Sequence, residues 1–159
     1  MPRSAPGSST RFPEARMLPD VASVIADGPT KVSVRLAEGV QCDLRGVTDA
    51  QFPFAQHYFT GSKNHNITMR RRAIERGLKL NEYGLEGEGT SIPCRDEAEL
   101  FRALGLAYIP PELREDSFEF EWAERGEIPE LVSLADLTGT FHCHTDWSDG
   151  GATLEEMAE

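Results

Sequence analysis

Long apolar runs are missing from this chain of 159 residues. No stretch approaches the roughly 18–20 consecutive apolar residues that a membrane-spanning helix needs, so a membrane role is not expected. The opening residues, MPRSAPGSST, have no apolar centre of the kind a secretory signal carries. Aromatic residues make up only 8% of the chain and hydrophobic residues 39%, an ordinary composition for one respectable core or two small ones. Cysteine is scarce and odd in number. Cys42, Cys94 and Cys143 have no C-x-x-C spacing, which excludes a disulfide framework and predicts reduced thiols in a cytoplasmic protein. There is no internal repeat. Positive charge is also in deficit, with 16 Lys and Arg against 27 Asp and Glu, a formal net of −11.

That sum argues against a nucleic-acid partner until its distribution is considered. Residues 86–130 hold thirteen acids and four arginines, a local net of −9, whereas residues 61–79 carry six cations and one acid, a local net of +5. The basic segment contains Lys63, Arg70, Arg71, Arg72, Arg76 and Lys79. Charge alone fits two readings, a phosphate-binding helix or a solvated helix face beside an acidic linker.

Residues 1–11 are rich in Ser, Pro and Gly and read as disordered. Leu18–Ala26 reads as a short helix or a strand. Lys31–Leu36 and Val40–Val47 alternate apolar and polar residues around Ala37-Glu38-Gly39, which predicts a β-hairpin. Gln51–Phe59 and Asn64–Arg76 read as helices, the second capped by Ser62 and ended by Gly77. Leu78–Tyr83 reads as a strand, and Arg95–Leu104 as a helix stopped by Gly105. Pro110-Pro111 opens an acidic linker, with one helix near Phe118–Ala123. Residues 138–159 read as a strand, a turn at Ser148-Asp149-Gly150 and a helix from Thr153.

Three constellations carry chemistry. Asp43 and Arg45 share one face of a strand, where a carboxylate must be solvated or paired with a cation. By itself this pair also fits a solvated strand face. The second is Tyr58 to Leu85, YFTGSKNHNITMRRRAIERGLKLNEYGL, in which two aromatic faces precede a glycine that permits close approach of a ligand. Ser62, Asn66 and Arg70 follow at i, i+4 and i+8, so they share a helical face. The third is His142-Cys143-His144-Thr145-Asp146-Trp147-Ser148-Asp149-Gly150. Alternation on a strand would put His142 and His144 on one side, with a carboxylate at the next turn, the beginning of a metal site.

The 28-residue stretch from Tyr58 resembles the thumb of family X DNA polymerases, and the H-x-H-T-x-x-S-D-G run resembles the first motif of PHP phosphoesterase domains, which follow the thumb in bacterial members. The resemblance covers residues 12–159 in the order palm end, thumb, linker and PHP start. It implies an α+β chain: the C-terminal part of a nucleotidyltransferase palm (12–49, a β-hairpin), a small helical and β thumb (50–109), an acidic linker (110–137), and the start of a PHP β/α barrel (138–159).

By that resemblance Asp43 is the third carboxylate of a two-metal polymerase site using Mg²⁺. Tyr58 and Phe59 pack on the sugar of an incoming deoxynucleoside triphosphate, Gly61 lies under its base, and Ser62 caps the helix. Asn66 reaches the minor-groove edge of the base, and Arg70 contacts the template. Arg45 pairs with Glu82 when the thumb closes, and is expected to lie near Glu82 or Tyr83 or to reach them on closure. His142, His144 and Asp149 are ligands of a PHP site for Mn²⁺ or Zn²⁺. Thr140-Phe141 stands where the family usually has Asp-Leu before the first histidine, which removes a carboxylate that would orient a ligand. The implied activity is gap-filling DNA synthesis on gapped or primer-template DNA with 3′–5′ exonuclease, in a monomeric cytoplasmic bacterial protein. With neither ligand set complete in this sequence, the chain alone is expected to turn over neither reaction. A non-catalytic DNA-binding thumb and a PHP metallophosphoesterase remnant are the competing readings.

Overall fold

The computed structural model describes residues 20–139 and 142–158. The disorder expected for residues 1–11 lies outside the described residues. The chain forms two compact units, residues 1–128 and 129–159.

The first unit begins with a three-stranded antiparallel sheet of β1 (Val21–Asp27), β2 (Lys31–Leu36) and β3 (Gln41–Arg45), in that spatial order. The predicted hairpin is β2–β3. Its turn is closed by Leu36 N–H donating to the Val40 carbonyl at 2.8 Å and Gly39 N–H to the Leu36 carbonyl at 2.9 Å. The segment left between helix and strand is a strand, β1, whose register against β2 shifts twice along its length. Val32 and Val34 form a small core with Val21 and Leu36. In the β2–β3 register Ser33 faces Asp43 and Lys31 faces Arg45.

Helices α1 (Phe52–Thr60) and α2 (Lys63–Glu75) follow, then a second antiparallel sheet of β4 (Leu78–Asn81), β5 (Gly84–Gly87) and β6 (Thr90–Ile92). Pro53 sits in the first turn of α1, where a missing N–H costs nothing. A Cβ at Gly87 would lie 2.6 Å from Leu78 Cδ2, so a side chain there would need the end of the Leu78 side chain to move aside. Helix α3 (Glu97–Ala103) is capped by Asp96, whose carboxylate accepts the Glu99 N–H at 2.8 Å. Helix α4 (Glu119–Arg125) ends at Gly126, which takes the left-handed conformation. Phe54, Met69, Ala73, Leu80, Leu85, Leu100, Phe101, Leu104, Ile109 and Ala123 meet in one core. Each large side chain fully buried there stabilises the unit by roughly 1.5–3 kcal/mol.

Residues 110–128, expected as the first part of a linker, are folded against this core. Arg114 and Ala123 are buried, as is Glu119, and Leu113, Phe120 and Ile128 pack on the core. Acidity in this stretch is not a solvation signal throughout, because two of the buried charges have specific partners, given below.

The second unit contains a 3₁₀ turn, Leu134–Asp136, closed by a reciprocal Ser133–Asp136 cap, and helix α5 (Leu154–Ala158). Thr153 and Glu156 form the cap of α5, with Thr153 N–H donating to the Glu156 carboxylate at 2.7 Å and Glu156 N–H to the Thr153 hydroxyl at 3.2 Å. The turn and helix expected here are present. The expected strand is not: described residues 138–139 and 142–145 have no strand pairing, and an isolated strand has no ladder to satisfy its backbone. Among the described residues no helix is long and apolar enough to cross a membrane.

Candidate functional site

Strand β3 presents Asp43 and Arg45 toward helix α1. A cleft of about 500 Å³ is lined by Lys31, Asp43, Arg45, Val47, Phe52, Ala55, Gln56, Phe59 and Thr60. Asp43 accepts from Lys31 Nζ at 2.8 Å and from Gln41 Nε2 at 3.1 Å. The Lys31 ammonium, with Ser33 and Gln41, holds its carboxyl far below the usual carboxylate range, so it is an anion at any ordinary pH.

Arg45 reaches across to the other side of the cleft. Its Nη1 donates to the Tyr83 hydroxyl at 2.8 Å, and its guanidinium lies 5.4 Å from the Phe59 ring centroid. Tyr83 is fixed by the tight turn between β4 and β5, where the Asn81 side chain accepts the N–H of Tyr83 at 2.8 Å and of Gly84 at 3.1 Å. The sequence pointed to Glu82 or Tyr83 as the neighbour of Arg45, and the side chain it meets is that of Tyr83.

A second cleft of about 440 Å³ is lined by Tyr58, Phe59, Gly61, Lys63, Asn66, Ile67 and Arg70. Phe59 is common to both. Tyr58 and Phe59 meet edge to face at 4.9 Å, and the Arg70 guanidinium lies 5.2 Å from the Tyr58 ring centroid. Asn66 Nδ2 donates to the Tyr58 carbonyl at 2.8 Å, which ties α2 to the end of α1. Gly61 has φ 77° and ψ −156°, a region open almost only to glycine, and the Gly61–Ser62 peptide is cis. The Ser62 hydroxyl accepts the His65 N–H at 3.3 Å, the predicted cap. Asn66 and Arg70 line the cleft together, as their spacing implied, while Ser62 is engaged at the helix end.

The six cations of the basic segment are not equivalent. Arg72 Nε donates to the Leu104 carbonyl at 2.7 Å and Nη2 to that of Gly105 at 3.2 Å, and Nη1 is paired with Glu124. This arginine satisfies the carbonyls at the end of α3 and is a structural brace. Arg76 donates to the Arg72 carbonyl at 3.3 Å on the same side. Arg70 and Lys63 are the cations that line the cleft.

Beneath the turn lies a buried polar set that sequence reasoning missed. His65 Nδ1 is 3.0 Å from a Glu119 oxygen, and the two Glu119 oxygens accept the N–H groups of Asp116 and Ser117, each at 2.7 Å. Arg114 Nη1 donates to Glu97 at 2.7 Å and Nε to the Ile109 carbonyl at 2.9 Å, with its guanidinium 5.2 Å from the Phe101 ring centroid and 5.6 Å from that of Tyr108. Burial, reinforced by His65, Arg114 and Arg70, lowers His57 to about 3, and burial outweighs Glu119 to hold His65 below the usual histidine range. Hydrogen bonds from His65 and from backbone amides keep Glu119 low, against its burial. The available signal was aromatic density: Phe118, Phe120 and Trp122 are out of place in a solvated linker.

In the second unit the His142 and His144 rings are 4.8 Å apart, and His144 Nδ1 is 2.5 Å from Asp149 Oδ1. The histidine holds the Asp149 carboxyl below its usual range. This brings the three predicted ligands together, but as a hydrogen-bonded pair beside a ring. Among the described residues no group of three or more His, Cys, Asp or Glu is arranged to hold a metal ion. Asp43 offers a single carboxylate, engaged with Lys31, and the trio offers an imidazole and a His144–Asp149 pair, donors of the kinds such metals take but in neither case a complete set.

A carboxylate on a strand edge, an aromatic-Thr-Gly-Ser turn and a basic helix meet at one pair of clefts. Comparison with known proteins bears on this directly. The family model described as DNA polymerase beta thumb matches residues 55–115. The DNA polymerase/3′-5′ exonuclease PolX of Bacillus subtilis is 46% identical over 148 residues, covering 89% of this chain and 25% of that protein. Human DNA-directed DNA/RNA polymerase mu is 41% identical over 80 residues, 48% of this chain and 16% of that protein. A ternary gap complex of Leishmania infantum polymerase beta superposes with a TM-score of 0.58 at 26% identity, covering 72% of this chain and 53% of that one. The chain belongs to the family X DNA polymerases, on the bacterial side of that family. It spans about a quarter of the length of its Bacillus relative.

Proposed function

We propose that this chain supplies the edge of the palm and the thumb of a bacterial DNA polymerase that fills short gaps during repair, in a protein that also carries a PHP 3′–5′ exonuclease. The observation that carries the reading is the pair of clefts joined at Phe59. One brings Asp43 and Arg45 to the aromatic turn, and the other aligns Tyr58, Gly61, Asn66 and Arg70. Solved relatives hold primer-template or gapped DNA in ternary complexes, so gapped DNA with a deoxynucleoside triphosphate is the proposed ligand pair.

In this reading the sugar of the incoming nucleotide rests on Tyr58 and Phe59, and its base passes over Gly61, where no side chain obstructs it. Asn66 leaves the Tyr58 carbonyl to meet the minor-groove edge, where the acceptors are nearly the same for every pair, so shape is checked without sequence. Arg70 meets a template phosphate or sugar. Arg45 moves between Tyr83 and Glu82 as the thumb closes. Family X polymerases use divalent metals, and Asp43 would offer one oxygen donor to Mg²⁺, with His142, His144 and Asp149 on the phosphoesterase side for Mn²⁺ or Zn²⁺. We assign residues 12–49 to the palm, 138–159 to the PHP region, and 50–109 to the thumb, to which 110–128 adds its packed face. A monomer in the bacterial cytoplasm is the proposed setting.

The test is binding of the purified chain to one-nucleotide-gapped duplex and to the intact duplex, by fluorescence anisotropy across a salt series, with and without the complementary deoxynucleoside triphosphate. Tighter binding to the gap that depends on Arg70 supports the reading. Equal, Arg70-independent binding to both, or none, overturns it.

A further inference from the structure

The turn that carries Gly61 and Ser62 is tied by hydrogen bonds to backbone groups of three residues that share another property. Gly61 N–H donates to the His57 carbonyl at 3.4 Å, Ser62 N–H donates to the Arg114 carbonyl at 3.0 Å, and the Ser62 hydroxyl accepts the His65 N–H at 3.3 Å. The side chains of these same residues are buried, at 2%, 0% and 0% exposure for His57, Arg114 and His65. All three surround one ring: Phe101 lies 5.5 Å from His57, 6.0 Å from His65 and 5.2 Å from the Arg114 guanidinium.

We infer that His57, His65 and Arg114, locked by Glu97 and Glu119 around Phe101, are positioning residues that set the backbone of the Gly61–Ser62 turn. Stability alone is a poor explanation for this set. His57 Nε2, His65 Nε2 and Arg114 Nη2 have no hydrogen-bond partner among the described residues, and buried polar atoms in that condition weaken a fold. Apolar side chains of similar volume would fill the same space with less loss. What apolar residues cannot do is fix direction. The Glu97–Arg114 pair and the bond from Arg114 to the Ile109 carbonyl determine where the Arg114 carbonyl points, and that carbonyl holds Ser62. Glu119 gathers the Asp116 and Ser117 N–H groups and His65 onto one carboxylate, fixing the loop after Arg114 against α2. A turn poised in a region that only glycine occupies readily needs such outside constraint to stay in one conformation.

The consequence for function rests on the reading that this turn meets the nucleotide. The experiment separates the two. Amide hydrogen exchange is followed by NMR in the full 159-residue chain and in its Arg114→Met and Glu97→Gln variants, beside affinity for gapped DNA with a deoxynucleoside triphosphate. We expect the Ser62 and His65 amides to lose at least about tenfold more protection than the amides of β4 and β5. Glu97→Gln keeps an acceptor for Arg114 and serves as the second variant should Arg114→Met fail to fold; it is expected to give the same local loss in smaller measure. Uniform loss across the thumb, or unchanged protection at Ser62, overturns the inference. A local loss at Ser62 with unchanged DNA and nucleotide affinity upholds it and instead removes the nucleotide-binding reading of the turn.

Discussion

Arg70 and Arg72 lie two residues apart on a run of three arginines, and replacing each by alanine should have opposite consequences. Arg70 lines the cleft beside Tyr58, and its guanidinium is set against that ring without a carboxylate partner among the described residues. Neutralising one phosphate contact lowers the slope of log K against log salt by about 0.9 and weakens binding about eightfold at 0.1 M salt. Stability should change by less than about 0.5 kcal/mol, as for an ordinary surface substitution. Arg72→Ala removes the donors held by the Leu104 and Gly105 carbonyls and the partner of Glu124, from a side chain only 12% exposed. Losing those charge-assisted bonds costs about 2–3 kcal/mol, and the midpoint of thermal unfolding should fall by roughly 5–15 °C. Its salt slope, measured below that midpoint, should match the parent chain. Fluorescence anisotropy on gapped DNA between 50 and 200 mM salt, with urea unfolding on the same proteins, reads both quantities. A reduced slope in Arg72→Ala, or an unchanged one in Arg70→Ala, would refute this division of labour.

Acid should destabilise the thumb through its histidines. His57 titrates in the unfolded chain near its ordinary 6.5 and in the fold at about 3, so the unfolded state binds more protons between these values. The stability from a neutral His57 is fully present above pH 6.5 and falls as pH drops, by about 1.4 kcal/mol per pH unit, or about 2 kcal/mol between pH 6.5 and pH 5; His65 adds in the same direction. Urea unfolding at the two pH values checks this, and a flat profile would contradict the buried neutral ring. Gly61→Ala meets no atom closer than Lys63 N at 3.6 Å, so its cost is purely conformational, about 1–3 kcal/mol; a urea midpoint unchanged within error would refute the left-handed geometry. Tyr83→Phe deletes the acceptor of the Arg45 bond at an exposed site and should cost no more than about 1 kcal/mol, read from the same urea curves.

The elements that were legible in the sequence are those whose local signals agree with their packing. Alternation in β2 and β3, the Ser62 cap and Gly77 at the end of α2 each have a short-range cause. Strands β5 and β6, Gly84–Gly87 and Thr90–Ile92, went unrecognised because they are only four and three residues long, and β5 begins and ends with glycine, which is depleted in strands. They exist because Leu85 is buried in the core while each backbone finds its neighbour. The buried charges were hidden for a related reason. Glu97, Arg114 and Glu119 look like surface residues until partners 17 and 54 positions away are known, and no local rule supplies that distance. Among the candidate residues, Asp43 and Arg45 line one cleft and Tyr58, Gly61, Asn66 and Arg70 the other, and Arg45 meets Tyr83, one of the two neighbours its position suggested.

Phe59 is a party wall. Arg45 lies over one ring, Phe59 abuts Tyr58, and Arg70 lies over the next, so a single row of cation, ring, ring and cation runs from the sheet to the basic helix. A guest in either chamber presses on the same partition. Whatever orientation of Phe59 one guest selects becomes the boundary the other must accept. Any influence that passes through Phe59 is mutual and equal in free energy, because coupling between two binding sites is reciprocal. The two chambers therefore cannot be tuned separately: a substitution at Phe59 made to enlarge one redraws the other.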